Sequence, residues 1–251
     1  MRIFKSWFLS PDPLSAYPDC TCANLPPQAI ACSRYLPQHE WHKAAYLPEM
    51  TYYTPYSSRF NQMLLLSFSG SLRTASSNTH TLIAAGLLAP PGVVIEHYDA
   101  IGELPHFTPD LDANLPQSIV DLRSRVGKAD GLLIACPEYA RGIPGSFKNM
   151  LDWLVGSPDF PGKPIALFNT SPRASAAQAA LKLVLETMSA TIIHDACATL
   201  HLLGKQTDPA TIANDPVCGE TLRHAIHALV EHLQVEAAPT YSPRGESPPA
   251  T

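Results

Sequence analysis

The chain runs to 251 residues with a formal net charge of −5, which gives no basic footprint for nucleic acid. Its hydrophobic share of 45% suffices for a core and excludes a wholly disordered chain, although only 16% of residues are charged. No apolar run approaches the roughly 18 residues a membrane helix needs, and the basic start at Arg2–Leu9 is cut short by Ser10-Pro11-Asp12-Pro13 before it could serve as a signal peptide; no membrane partner is expected, and the expected setting is cytoplasmic.

Residues 1–62 hold 8 of the 25 prolines, no glycine, and Cys20, Cys22 and Cys32. They show no sustained period of 2 or 3.6. A small metal module built from Cys20, Cys22, Cys32, His39 and His42 is one reading, but that spacing fits no standard zinc pattern. An irregular N-terminal extension, or a natural start at Met63 with 1–62 as upstream sequence, is preferred. At the other end, residues 238–251 carry four prolines and read by composition as a disordered tail. The domain organisation expected is thus 1–62, 63–237 and 238–251.

From Met63 the texture becomes regular. Short apolar runs at Met63–Phe68, Val93–His97, Gly131–Cys136, Pro164–Phe168 and Thr191–Ile193 have strand length and mostly unbroken hydrophobicity, as strands buried on both faces of a parallel sheet require. Between them lie segments of helical period: residues 78–88, then 114–127 with Leu115, Ile119, Leu122 and Val126, and 221–235 with Leu222, Ile226, Leu229, Val230 and Leu233. Such alternation predicts an α/β, doubly wound sheet with right-handed crossovers and helices on both faces. A ligand in such a sheet sits beyond the carboxyl ends of the strands, which directs attention to the loops after residues 69, 136 and 169.

The first loop, Ser69 to Thr79, opens a helix, and a helix N-terminus offers free N–H groups to an anion. It adds the hydroxyls of Ser71, Ser76 and Ser77, the amide of Asn78 and the guanidinium of Arg73, the side chain best matched to phosphate geometry. One serine would suffice to cap the helix; five polar groups exceed that need, so phosphate binding is the expectation. The glycine-rich dinucleotide and Walker patterns are absent. In the second loop, Pro137 and Gly142 shape a turn, Tyr139 offers a ring face, and Pro144 suits the first turn of a helix. The third loop, Asn169 to Ser175, is polar and ends another central strand.

With these residues in view, the sequence resembles the NADPH-dependent FMN reductases of flavodoxin-like fold, which include chromate, quinone and azo-dye reductases. The likeness lies in Gly70-Ser71-Leu72-Arg73-x-x-Ser76-x-Asn78, in Leu104-Pro105-x-Phe107-x-Pro109-Asp110-Leu111, in Pro137-Glu138-Tyr139, in Pro144-Gly145-x-x-Lys148-Asn149-x-x-Asp152-Trp153 and in Gly162-Lys163-Pro164. It implies a five-stranded parallel sheet of order 2-1-3-4-5, and an enzyme that passes electrons from NADPH or NADH as co-substrate, by way of FMN, to a small-molecule acceptor. Quinones, azo compounds, metal oxyanions or free flavin are the acceptors implied. It also implies that Ser71, Arg73, Ser76 and Asn78 hold the FMN phosphate, and that Pro137, Glu138, Tyr139 and the backbone that follows border the flavin ring; Leu72, Ser77, Ala140, Gly142 and Ser171 complete the expected cofactor-binding set. A homodimer or homotetramer is implied with it. The chain departs from the family at Ala140, where members often have Asn, and at Ser171-Pro172-Arg173-Ala174-Ser175-Ala176, where many have a glycine-rich loop.

No catalytic side chain is nominated, because the hydride chemistry belongs to the cofactor. Cys136 is read as a small core residue, Cys197 and Cys218 as cysteines without a partner at motif spacing and not in a disulfide, the scattered histidines as no metal site, and Phe147 and Trp153 as packing. Asp99 and Asp110 do not make a receiver-type acidic pocket, since the first strand ends in Ser69-Gly70. Arg141 and Arg173 are candidates for the 2′-phosphate of NADPH. A flavodoxin-like electron carrier and a non-catalytic flavin-binding sensor are the alternative readings.

Overall fold

The computed structural model describes residues 62–202 and 208–237. The segments 1–61 and 238–251, with the cysteine and histidine candidates and the tail, lie outside the described residues.

The chain order begins β1 (Met63–Ser69), α1 (Ser77–Leu87), β2 (Val93–Tyr98), α2 (Gln117–Lys128), β3 (Gly131–Ala135) and α3 (Gly145–Val155). It continues β4 (Pro164–Asn169), α4 (Ser175–Thr187), β5 (Thr191–Ile192), β6 (Ala198–Thr199), α5 (Pro209–Asn214) and α6 (Pro216–Ala237). The strands are parallel and ordered β2-β1-β3-β4-β5, the order implied by the resemblance. Register follows the apolar runs: Met63 stands beside Val93, Leu65 beside Gly131, and Leu132 beside Ile165.

Alternation along the strands divides the core in two. Leu66, Phe68, Leu132, Ile134, Ile165 and Leu167 turn to one face, where Ile119, Leu122 and Val126 of α2, the α3 side chains and Leu181 and Leu185 of α4 cover them. Leu65, Leu133, Ala135, Ala166 and Phe168 turn to the other, under α1, α5 and α6. Every residue of β3 is buried. Burying one such leucine contributes about 1.5–3 kcal/mol, and truncating Leu133 to Ala would cost about 2–5 kcal/mol.

The fifth strand forms at Thr191–Ile192, as the run Thr191–Ile193 leads one to expect, and a further piece joins it. The edge beside β4 comes in two pieces, β5 against Pro164–Ile165 and β6 against Phe168–Asn169, with a 3-10 turn at His194–Ala196 between them. At the gap, the Leu167 N–H donates to Cys197 Sγ at 3.5 Å, so a thiol stands where a backbone carbonyl would complete the ladder. The last helix also runs longer than the periodic stretch 221–235, and α2 starts at Gln117, after Pro116.

Helix α3 locks the segment after β2. Trp153 Nε1 and Asn149 Nδ2 both donate to the Pro105 carbonyl, at 2.8 and 3.0 Å, and Asn149 Oδ1 accepts the Phe107 N–H at 2.8 Å. The Phe107 ring meets Trp153 edge-on at 5.0 Å. Trp153 and Phe147 are fully buried, as the packing reading expects.

Candidate functional site

At the carboxyl ends of β1, β3 and β4 lies a cavity of about 430 Å³, within the usual range for small-molecule sites. The first loop and the start of α1 supply Ser71, Arg73, Ser76, Ser77 and Asn78. The loop after β3 supplies Cys136, Pro137, Glu138 and Tyr139, and the loop after β4 supplies Thr170, Ser171, Arg173 and Ala174. The three loops that the strand pattern singles out thus meet around one space.

Local hydrogen bonds fix the first loop. Ser76 caps α1, its Oγ accepting the Thr79 N–H at 3.4 Å, so the capping role is present. Ser71 Oγ accepts the Arg73 N–H at 3.3 Å, and the Thr79 hydroxyl donates to Ser69 Oγ at 2.8 Å. The Thr170 hydroxyl donates to Asn78 Oδ1 at 3.1 Å. That bond uses the acceptor of the Asn78 amide and leaves its NH2 group as a donor. With the N–H groups of Ser77 and Asn78 in the first turn of α1, and an Arg73 that makes no ion pair among the described residues, this end of the cavity is rich in donors and poor in acceptors.

The second loop is a miniature hairpin. Tyr139 and Gly142 exchange backbone hydrogen bonds of 3.1 and 3.0 Å, with Ala140 at φ 49° and Arg141 at φ 63° between them. Two successive left-handed residues make the type I′ geometry that Asn and Gly adopt most readily. The hairpin carries Ala140, Arg141 and Gly142 away from the cavity lining while Pro137, Glu138 and Tyr139 remain on it. Glu138 Oε2 also accepts the Ala177 N–H at 3.0 Å, in the first turn of α4. A carboxylate there satisfies an otherwise orphaned donor and opposes the positive end of the helix.

Cys136 directly follows β3 and lines the cavity, and burial pushes its thiol up to about 12. It stays protonated at neutral pH, in keeping with its reading as a packing residue. A further cavity, of about 390 Å³, lies on the other side of the first loop, between the ends of β1 and β2. Leu72 belongs to this one, beside Gly102, and only Ser71 and Arg73 line both. His97 also lines it; burial lowers its pKa against the opposing influences of Asp99 and Ser67.

Of the residues that sequence reasoning proposed, Leu72, Ala140, Arg141 and Gly142 do not line the main cavity, and the rest do. Thr170 and Ala174 line it without having been singled out, although the Asn169–Ser175 loop had been. A polar residue directly after a central strand was the available signal for Thr170. No group of three or more His, Cys, Asp and Glu suited to a metal ion occurs among the described residues.

Residues 63–202 match the family model described as NADPH-dependent FMN reductase. Among characterised relatives, 2-hydroxy-1,4-benzoquinone reductase of a Burkholderia species is 40% identical over 105 residues, 41% of this chain and 57% of that protein. An NAD(P)H-dependent FMN reductase of Pseudomonas aeruginosa is 39% identical over 110 residues, 43% of this chain and 59% of that protein. A quinone reductase of Escherichia coli K12 is 30% identical over 114 residues, 44% of this chain and 61% of that protein. The chain therefore spans less than two thirds of the length of each of these relatives. Among solved structures, the flavoenzyme NAD(P)H:(acceptor) oxidoreductase FerB of Paracoccus denitrificans superposes with a TM-score of 0.58 at 28% identity, covering 69% of this chain and 98% of that one. An oxidoreductase of Corynebacterium diphtheriae shares the fold, with a TM-score of 0.50 at 20% identity, over 71% of this chain and all of that one.

Proposed function

The chain belongs to the NADPH-dependent FMN reductase family, and on that premise we propose that it transfers electrons from NADPH or NADH, by way of bound FMN, to small acceptors such as quinones. The observation that carries the reading is the single cavity shared by the loops after β1, β3 and β4. The residues present fit the cofactor. The donor-rich end, with Arg73, the Asn78 NH2 group and the first N–H groups of α1, suits a dianionic phosphate. Ser71 and Ser76 support that end through their bonds to Arg73 and Thr79.

Pro137 and the half-exposed Tyr139 give the opposite wall a flat apolar surface for a ring system. Ser171 and Arg173 close the third side. FMN, when bound, supplies the hydride-accepting chemistry. The protein's part is to hold the phosphate, orient the ring and leave one ring face accessible, which requires no general acid or base from the chain. Arg173 lines the cavity and would meet the 2′-phosphate of NADPH; Arg141, at the hairpin tip, would meet it only from outside the lining.

The relatives named 2-hydroxy-1,4-benzoquinone reductase and quinone reductase support quinones ahead of azo compounds or metal oxyanions as acceptor. The proposal extends to a homodimer or homotetramer, in which the exposed Leu72, Phe107 and Tyr139 beside the loops would be available for contact. It extends also to a cytoplasmic setting, and among the described residues no helix is long and apolar enough to cross a membrane.

The test is a visible spectrum of the full chain incubated with FMN, recorded without air before and after NADPH or NADH, and again after 1,4-benzoquinone. Protein-bound flavin bands that bleach with a donor and return with the quinone support the reading. Failure to retain FMN, or bands that neither donor bleaches, overturns it.

A further inference from the structure

A cavity of about 400 Å³ lies behind the third loop, between α4 and the edge where β4 meets β6. One face of α4 contributes Ser175, Gln178 and Lys182, spaced three and four residues apart, and the strand side contributes Asn169 and Thr199. The Gln178 Nε2 atom is enclosed and has no hydrogen-bond partner among the described residues. Leaving such a donor unsatisfied is costly, and a ligand acceptor placed there would recover the loss.

The charges point the same way. Among the described residues Lys182 makes no ion pair and no carboxylate lines the cavity. Asn169 gives its Oδ1 to the Ser171 N–H at 3.1 Å, so its NH2 group is what it has left to offer. Cys197 is committed, its sulfur accepting from Leu167 N and donating to the Ile193 carbonyl, both at 3.5 Å, and so forms wall and not a reacting group. Leu167, Ala179 and Ala198 add apolar lining. Donors with one uncompensated ammonium, beside apolar lining, match a carboxylate attached to an apolar body. Inorganic phosphate would satisfy the donors and leave the apolar lining against a hydrated ion.

We propose that this cavity is a binding site for a small organic carboxylate, held by the Lys182 ammonium and the Gln178 amide. It is separate from the cofactor cavity, yet adjacent in the chain: Ala174 lines one and Ser175 the other. The inference does not depend on the redox reading.

Isothermal titration of the full chain with benzoate tests it, with neutral benzamide and inorganic phosphate as controls and with Lys182→Met and Gln178→Leu as variants. The expected result is saturable benzoate binding that each substitution weakens at least tenfold, with benzamide silent and phosphate weaker than benzoate. Lys182 is only partly buried, so Lys182→Met is the variant whose folding, checked by circular dichroism, keeps the test valid if Gln178→Leu is unstable. Absence of saturation, equal binding of phosphate, or benzoate affinity unchanged in Lys182→Met overturns the proposal. So does self-association in sedimentation that Lys182→Met abolishes, since the occupant would then be a second copy of the chain.

Discussion

A Cβ added to Gly70 would lie 2.8 Å from the Sγ of Cys136 and 3.1 Å from Cδ of Pro137. The Gly70 N–H meanwhile donates to the Ala135 carbonyl at 2.8 Å, extending the β1–β3 ladder one step beyond the strands. The first loop leaves the sheet at Gly70 and the second at Cys136, so this contact sets how far apart two walls of the main cavity stand. Gly70→Ala is expected to destabilise the fold by about 1–3 kcal/mol through overpacking, read from a urea midpoint. Cys136→Ala in the same chain should return part of that loss, and strict additivity of the two changes would show that the sulfur is not the obstacle.

The Cys136 thiol, raised by burial to about 12 from 9.0, makes stability fall as pH rises. Between those values the unfolded chain has released the proton and the folded chain still holds it, so the unfolded state is favoured by about 1.4 kcal/mol per pH unit. Below pH 9 the contribution is level. The measurement is the difference in unfolding free energy between the parent and Cys136→Ala at pH 8, 9 and 10. A difference that stays constant over that range would contradict the buried, protonated thiol.

Arg73→Ala is expected to weaken FMN binding by about tenfold to a hundredfold, the loss of one charge-assisted hydrogen bond of roughly 1.5–3 kcal/mol. Riboflavin lacks the phosphate, so its affinity should hardly change. Quenching of flavin fluorescence reads both. An equal loss for the two flavins would place Arg73 against the ring instead.

The hairpin at Tyr139–Gly142 holds two non-glycine residues in left-handed backbone, a conformation that costs on the order of 1–2 kcal/mol per residue. Arg141→Gly and Ala140→Asn should each therefore raise stability, by about 0.5–1 kcal/mol, measured by thermal or urea unfolding. A loss of stability in both would mean that the side chains, and not the backbone, hold the turn.

Arg173 lines the main cavity and Arg141 does not. Arg173→Ala is expected to raise KM for NADPH several-fold more than KM for NADH, and Arg141→Ala to separate the two donors less. Steady-state kinetics with both donors decide it, and an equal effect of Arg173→Ala on the two would remove its role at the 2′-phosphate.

Sequence patterning carried the layout of the sheet because β1, β3 and β4 are buried on both faces and therefore read as continuous apolar runs. At the edge the same logic reached β5, read from the run Thr191–Ile193, but not β6. Ala198–Thr199 is two residues long, too short for any periodicity, and the thiol of Cys197 beside it has no pattern of its own. At the site, the loops were legible because they follow the strands, but the direction of individual side chains was not. Whether Leu72 turns to the main cavity or towards Gly102, and whether Ala140 to Gly142 line the pocket or fold into a hairpin, depends on backbone dihedrals that spacing does not encode. The Glu138 bond to α4 joins residues 39 apart in the chain and had no local signal.

That bond has a consequence for the chain's tolerance of change. Through Glu138 and Ala177 the second and third loops are parts of one frame, so neither can be exchanged alone. A glycine-rich third loop transplanted from a relative would shift the N–H that Glu138 engages and would move Pro137 and Tyr139 with it. Variation in the third loop, including the Ser171–Ala176 stretch of this chain, is therefore felt across the cavity on the opposite wall.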